Sequence, residues 1–360
     1  MFTRIALRAV AILPFLYSTA SAQTACNNSP SLCSRAYNNI THLGAHDSPF
    51  LRDKSTSFST SGNQYYDSVT QLDAGVRLLS AQVHRKNDTT GSDQWHLCHS
   101  SCNLLDMGTL TSWLRNISGW MDNNPNDVVT VLIVNSDDAT ATDLGEQFES
   151  SGIDKYVYVP PSTTTLPTTW PTLQTLISNN TRLMTFVASL STPDSNFPYL
   201  MDEFTYVFEN DFENESPSDY SCNPDRPTAL STPAEAEESN RMFLMNHFLY
   251  ASQLFGIQSP NDTYVNVTNA QTGVGSLGTR ITACTTVYAK PPTFVLVDFF
   301  NVGPAMSSVD KANGIVGTGR KDVPTEALTE NNLPTGGAGR RQGPFLAAVV
   351  AVVVAVGFSM

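Results

Sequence analysis

The chain has 360 residues, of which 41% are hydrophobic and only 15% charged, enough apolar material for a sizeable core and a composition unlike that of a disordered chain. Thirty-three acidic residues against 20 basic ones leave a net charge of −13, which repels polyanions at long range and excludes nucleic acid as an expected partner. No period of about 20–50 residues recurs, which argues against a solenoid or propeller.

In chain order, Arg4 and Arg8 precede an apolar run and the small residues Ala20-Ser21-Ala22, the order of a secretory signal peptide over residues 1–22. Six cysteines follow, an even number that suits an oxidising compartment; their spacing pairs Cys26 with Cys33 and Cys98 with Cys102, leaving Cys222 for Cys284. Zinc held by Cys98, Cys102, His96 and His99 is the competing reading, and the secreted setting with no second close cysteine pair argues against it. Eight N-x-S/T sequons, at Asn27, Asn39, Asn87, Asn116, Asn179, Asn214, Asn261 and Asn266, also fit export.

Residues 23–308 read as one domain. Short β-rich runs are expected at 40–44, 76–83, 128–135, 182–188, 205–209, 242–246 and 293–298, with helical periodicity between them at 110–121 and 143–150. The stretch 128–134 is almost continuously apolar, which suits a parallel strand buried on both faces. Strands alternating with helices, and no glycine-rich phosphate loop, predict an α/β fold of the closed (β/α)8 type with its chemistry at the strand C-termini. Residues 309–343 gain Gly, Thr and Asn and read as a stalk that holds the barrel mouth away from a membrane. The tail 344–360 carries an apolar run, 345–358, short of the roughly 20 residues a spanning helix needs. With Gly336-Gly337-Ala338 and a polar spacer upstream, it has the order of a signal for a glycolipid (GPI) anchor, a retained membrane helix being the alternative. The expected location is therefore the extracellular face of the plasma membrane or the cell wall.

The first strand leads into Gly44-Ala45-His46-Asp47-Ser48, and the second is followed by Trp95-His96-Leu97-Cys98-His99-Ser100-Ser101-Cys102, where a small disulfide loop would hold His99. A lone His-Asp pair reads more readily as a capped turn with a solvated imidazole. Two imidazoles at one mouth change the reading, because one can accept a proton while the other donates one. The late strand around Val295-Leu296-Val297-Asp298 delivers a carboxylate able to orient an imidazole.

His46-Asp47-Ser48, Gly75-Val76-Arg77-Leu78-Leu79, Cys98-His99 and Val297-Asp298-Phe299, in this order, resemble the catalytic X-domain of phosphatidylinositol-specific phospholipase C, and within it the secreted, metal-independent PLC-like phosphodiesterases of fungi. Asn124 to Thr130 and Asn246-His247-Phe248 resemble further strand-flanking segments of that family. The resemblance implies a distorted TIM-type barrel acting on a phospholipid or inositol phosphodiester without cofactor or metal. It implies that His46 deprotonates the inositol 2-hydroxyl, that His99 protonates the departing glycerol oxygen, that Asp298 orients His46, and that Asp47 supports His99. His96 is read as structural.

This chain also departs from the family. Where bacterial members carry Asp and then Arg on the second strand, and calcium-dependent members carry Glu and Asp, Ser80 and Gln82 stand here. Alternation places Gln82 and His84 on one face and Arg77 on the other, so Gln82 and His84 are expected to face substrate and Arg77 to be structural. Asn135 occupies a second position that is basic in bacterial members and is expected at the substrate too. The neutral positions support a rival reading, a weak or inactive surface barrel that binds a phosphorylated sugar or lipid head group. A glycerophosphodiesterase or sphingomyelinase-D-like enzyme would need carboxylates for a divalent metal on the second strand, and these are lacking.

Overall fold

A computed structural model of the chain describes residues 24–87, 94–190, 192–252, 258–330 and 332. The expected signal peptide, the Gly336-Gly337-Ala338 cluster and the apolar tail lie outside the described residues.

The strands are β1 (His42–Ala45), β2 (Leu78–Arg85), β3 (Trp95–Cys98), β4 (Asp106–Thr109), β5 (Val129–Asn135), β6 (Leu183–Ala188), β7 (Met201–Asp202), β8 (Val207–Glu209), β9 (Met242–Asn246), β10 (Tyr250–Ser252), β11 (Gln258–Pro260) and β12 (Phe294–Val297). The helices are α1 (Ser68–Asp73), α2 (Leu110–Asn123), α3 (Ala141–Ser151), α4 (Leu173–Ser178), α5 (Glu203–Tyr206), α6 (Pro233–Glu238), α7 (Val265–Thr268), α8 (Leu277–Tyr288) and α9 (Ala305–Asn313). The expected strand at 205–209 is shortened to β8, because the Asp202 side chain accepts from Thr205 N and caps the single helical turn α5.

The main sheet runs β7-β6-β5-β2-β1-β12-β9-β8, every neighbouring pair parallel. It curls into a barrel left open between β7 and β8, whose strands of two and three residues leave little unpaired edge. β3 pairs antiparallel with β2, and β4 with β3, so that a ribbon extends β2 beyond the barrel.

Alternation along the strands sorts side chains into two cores. Leu79, Ala81, Val83, Val129, Val131, Ile133, Val295 and Val297 pack outward with the helices. Leu78, Leu132, Phe186, Val207, Leu244, Phe294 and Leu296 fill the barrel interior. Along the interior-facing parity the residues turn from apolar to polar towards the strand C-termini. Phe294 and Leu296 are followed by Asp298, Met242 and Leu244 by Asn246, Val207 by Glu209, and Leu78 by Ser80 and Gln82. The sequence thereby closes one end with a dry core and opens the other as a polar mouth.

The closed end is tied to flanking segments. Asn27 Nδ2 donates to Val128 O and its Oδ1 accepts from Val128 N, fixing the N-terminal segment to the start of β5. Arg77 is buried against the Trp120 ring, donating to Asp127, Asn28 and the carbonyls of Leu72 and Val76, a structural role as expected.

The stalk expected from residue 309 does not leave the barrel there. Residues 309–313 complete α9, and Asn313 hydrogen-bonds both main-chain groups of Thr41. Beyond it Thr318 N donates to Asn28 O, Arg320 pairs with Asp310, and Lys321 N donates to Asp73 O while its ammonium meets the Asp73 carboxylate. Asn301 donates to Pro324 O and Glu326 O, and Leu328 is buried with Tyr65, Val265, Phe299 and Val302. A polar composition marks this segment as non-regular structure; side-chain-to-backbone bonds and one apolar plug hold it to the barrel as a strap.

Candidate active site

His46 and Asp47 follow β1 directly. Asp47 adopts a left-handed backbone conformation (φ 46°), supported by Ser80, whose Oγ accepts from Asp47 N and whose carbonyl accepts from Ser48 N. Ser80 is thus occupied in shaping the turn that presents both residues. His46 Nδ1 donates to Asp298 Oδ1 at 2.9 Å, and Asn63 Nδ2 donates to the same oxygen at 3.0 Å. The His46 ring lies flat on Phe248, with centroids 3.6 Å apart and planes inclined by 2°. Gln64 donates to His46 O and Val297 O, joining the ends of β1 and β12. With Nδ1 committed to Asp298, the neutral ring presents Nε2 to the mouth.

His99 follows β3 inside the Cys98–Cys102 disulfide loop, its ring perpendicular to that of Phe50 with centroids 5.3 Å apart. Asp47 stands between the two histidines, with Oδ2 3.7 Å from both His46 Nε2 and His99 Nε2. Both imidazoles therefore converge on one oxygen across a single small space. Burial works against charge on His46, but Asp47 and then Asp298 outweigh it and raise its pKa above the ordinary 6.5. At His99 burial prevails over the opposing pull of Asp47, and with His46 adding repulsion the pKa is lowered.

Gln82 does not present a free amide. Its Nε2 donates to Asp47 Oδ2 at 2.7 Å and its Oε1 accepts from Ser100 N at 2.8 Å, so both ends are engaged within the protein. His84 lies near the site with Nδ1 3.3 Å from Asp137 Oδ1. Asn135 is the clear departure from expectation. It shares the outward parity of Val131 and Ile133, and its side chain donates to Ala139 O and accepts from Ala139 N, clamping the loop after β5. His96 bonds Asp106 at 2.8 Å and braces the β3–β4 ribbon. All three expected disulfides are present, Cys26–Cys33, Cys98–Cys102 and Cys222–Cys284.

Other groups at the site went unread in the sequence. Asn63 and Gln64 come from the long segment between β1 and α1, which has no periodicity to mark it. Glu209 ends β8, where it accepts from Arg226 Nε at 2.9 Å and from Asn246 Nδ2 at 3.3 Å; a charged residue closing an apolar strand was its available signal. Among the described residues, no group of three or more His, Cys, Asp or Glu side chains is placed to hold a metal ion.

An open parallel barrel with this polar mouth is the architecture of the phospholipase C-type phosphodiesterases. The PI-PLC X 1 family model matches residues 32–313, and the chain belongs to this PI-PLC X family. It is 37% identical over 317 residues to a protein of Arthroderma benhamiae named "Uncharacterized secreted protein", covering 86% of this chain and 68% of that one. It is 36% identical over 292 residues to "PI-PLC X domain-containing protein 1" of the same fungus, covering 81% and 90%. Among solved structures, the phosphatidylinositol-specific phospholipase C of Listeria monocytogenes superposes with a TM-score of 0.51 at 15% identity, covering 79% of this chain and 97% of that one. A Staphylococcus aureus phosphatidylinositol-specific phospholipase C gives 0.52 at 13% identity, with the same coverages. At such identities these two structures bear on the fold alone.

Proposed function

We propose that this phospholipase C-like protein cleaves a phosphodiester, of an inositol lipid or related glycolipid, by acid/base catalysis between His46 and His99 without a metal. The observation that carries the reading is the convergence of both Nε2 atoms on Asp47 Oδ2, each 3.7 Å away, with His46 oriented from behind by Asp298. His46 Nε2 takes the proton of the hydroxyl next to the phosphate, and that oxygen attacks phosphorus. The bond from phosphorus to the glycerol oxygen breaks, and His99 delivers a proton to that oxygen, leaving a cyclic phosphodiester and a diacylglycerol. Asp47 favours the charged form of either ring and so supports the transfer from both sides. Phe248 keeps the His46 ring in plane.

The protein works outside the cell, held to the plasma membrane or wall by a glycolipid anchor and carrying N-linked glycans, a reading supported by three disulfides and the order of its terminal segments. A second reading, a barrel that binds a phosphorylated head group and turns it over poorly, is favoured by one observation. Gln82, standing where bacterial members supply a cation, has its amide fully engaged with Asp47 and Ser100. His46→Ala and His99→Ala, each assayed on phosphatidylinositol and on a soluble inositol phosphodiester, separate the two readings. Loss of all cleavage in both folded variants is expected; activity within about tenfold of the parent in both would rule out the two-histidine mechanism.

A further inference from the structure

Residues 315–325 of the strap form neither helix nor strand. Their main chain is tied at separate points: Thr318 N donates to Asn28 O, Lys321 N donates to Asp73 O, and Asn301 Nδ2 donates to Pro324 O and, just beyond, to Glu326 O. Between these ties the strap forms one wall of a cavity of about 630 Å³, a volume within the range of small-ligand clefts, roughly 300–1,000 Å³. The opposite walls are better fastened. They comprise α7 and the loop from β12 to α9, which Asn269 Nδ2 joins by donating to the carbonyls of Asp298, Phe299 and Val302. α7 is also fixed to the residue after β9, since Thr268 O accepts from the buried His247 ring at 2.9 Å. The cavity thus lies between a rigid floor and a loosely tied strap.

Its lining mixes two characters. Phe300 and Met306 give apolar surface, and Arg320, Lys321 and Thr325 give hydrogen-bonding groups. The two cations are each paired, Arg320 with Asp310 and Lys321 with Asp73, so they do not call for an anion and suit a neutral ligand with both apolar and hydroxyl faces, as a sugar ring has. Asn266, the acceptor of a sequon, stands exposed on α7 at the border of this same cavity. We infer that the sugar joined to Asn266 lies in the cavity and fastens the strap to α7. This rests on the reading above that the chain is exported and carries N-linked glycans. In the joining step the amide nitrogen of Asn266 takes the anomeric carbon of an N-acetylhexosamine from a lipid diphosphate donor; the carbon–oxygen bond to the diphosphate breaks, and one amide proton leaves. The ring then sets its C–H face against Phe300 and Met306 and its hydroxyl and acetamido groups towards the strap. A covalent bond at one wall and contacts at the other link two segments far apart in sequence, and the loop so covered is the one that follows Asp298.

The test uses the full-length protein secreted by a eukaryotic host with its own glycans. Glycopeptide mass spectrometry reads whether Asn266 carries sugar, and hydrogen exchange reads the strap amides at 318–326. Asn266→Gln removes the acceptor, and Asn179→Gln removes another exposed sequon, which follows α4 and lies outside the cavity. Folded parent protein trimmed by an endoglycosidase to the single sugar next to asparagine, and parent stripped of that sugar by an amidase, give the same comparison without a variant. Strap exchange slower by about tenfold or more in the parent than in Asn266→Gln and in the stripped protein is expected, with trimmed parent and Asn179→Gln matching the parent. Equal exchange in the parent and both sugar-free forms, or protection that disappears on trimming, overturns the seating and leaves the glycan at Asn266 standing. A bare Asn266 in secreted protein that carries sugar elsewhere overturns the site, and a secreted chain bare at every sequon overturns the glycan reading on which it rests.

Discussion

Asp298→Asn keeps the shape of the side chain behind His46 and removes its charge. In the parent, Asp298 Oδ1 receives His46 Nδ1 at 2.9 Å, and Asp298 is, with Asp47 and Glu209, one of the three carboxylates that raise the His46 pKa. A carboxylate in direct contact shifts a neighbouring pKa by about 1–3 units, each worth about 1.4 kcal/mol. The reactive form needs His46 neutral and His99 charged, whereas His46 is raised and His99 lowered, so the reactive form is the minor singly protonated one. In a bell-shaped profile of kcat/KM the acid limb then follows loss of the His99 proton and the alkaline limb loss of the His46 proton, with both values belonging to the coupled pair. Removing the Asp298 charge lowers the affinity of His46 for its proton, so the alkaline limb should move down by about one unit or more. Loss of the orienting acceptor should lower kcat by about 10²–10⁴-fold, as when the carboxylate behind a catalytic imidazole is neutralised. The assay is the pH dependence of cleavage of a soluble inositol phosphodiester between about pH 4 and 9, a window set by the imidazole range. An unmoved alkaline limb with kcat within about tenfold of the parent would refute the Asp298–His46 pairing as a functional one.

Four further outcomes are expected. Gln82→Leu leaves both Ser100 N and Asp47 Oδ2 without their amide partner, which should cost about 1–3 kcal/mol by chemical denaturation and lower kcat as His99 loosens; Gln82→Arg loses the bond from Ser100 and pairs its guanidinium with Asp47, so it should not raise the rate, and a tenfold gain would show that the mouth lacks only a cation. Cys102→Ser opens the small loop around His99 and should reduce kcat far more than it reduces binding of a substrate analogue, a split read by comparing kcat with the analogue's Kd. A chelator should leave activity unchanged, since Ser80 and Gln82 offer no anionic ligand; inhibition reversed by calcium would show the site to be metal-dependent.

The buried parallel strands were legible because their signal is one-dimensional. The apolar run through Val129–Asn135 and the stretch Met242–Asn246 require no tertiary information to be read as strands. The histidines and Asp298 could be read because each sits directly after such a run, where a barrel collects its chemistry. The β3–β4 ribbon was not legible. Asp106–Thr109 contains an aspartate and a glycine at positive φ, and it pairs because the His96–Asp106 bond and the Cys98–Cys102 loop hold it there. Asn63 and Gln64 stayed hidden for the same reason, their roles being set by groups more than 200 residues away. Asn135 misled through its place at a strand end. Counting parity from Val131 places it on the outer face, and position along the strand without parity does not decide which way a side chain points.

The clamp between Asn27 and Val128 also bears on how the chain matures. Asn27 is the acceptor of a sequon, and the nitrogen to which a sugar would be joined is the atom that donates to Val128 O, in a residue only 5% exposed. Asn214 is in the same position, 1% exposed with its amide donated to Asp211 O, whereas Asn39, Asn87, Asn116, Asn179 and Asn266 stand open on the surface. A sugar on Asn27 or Asn214 would have to be accommodated where the amide is buried against Val128 or Asp211, so these two sequons are expected to stay bare in the folded protein while the exposed ones are open to modification, a difference that glycopeptide mass spectrometry reads.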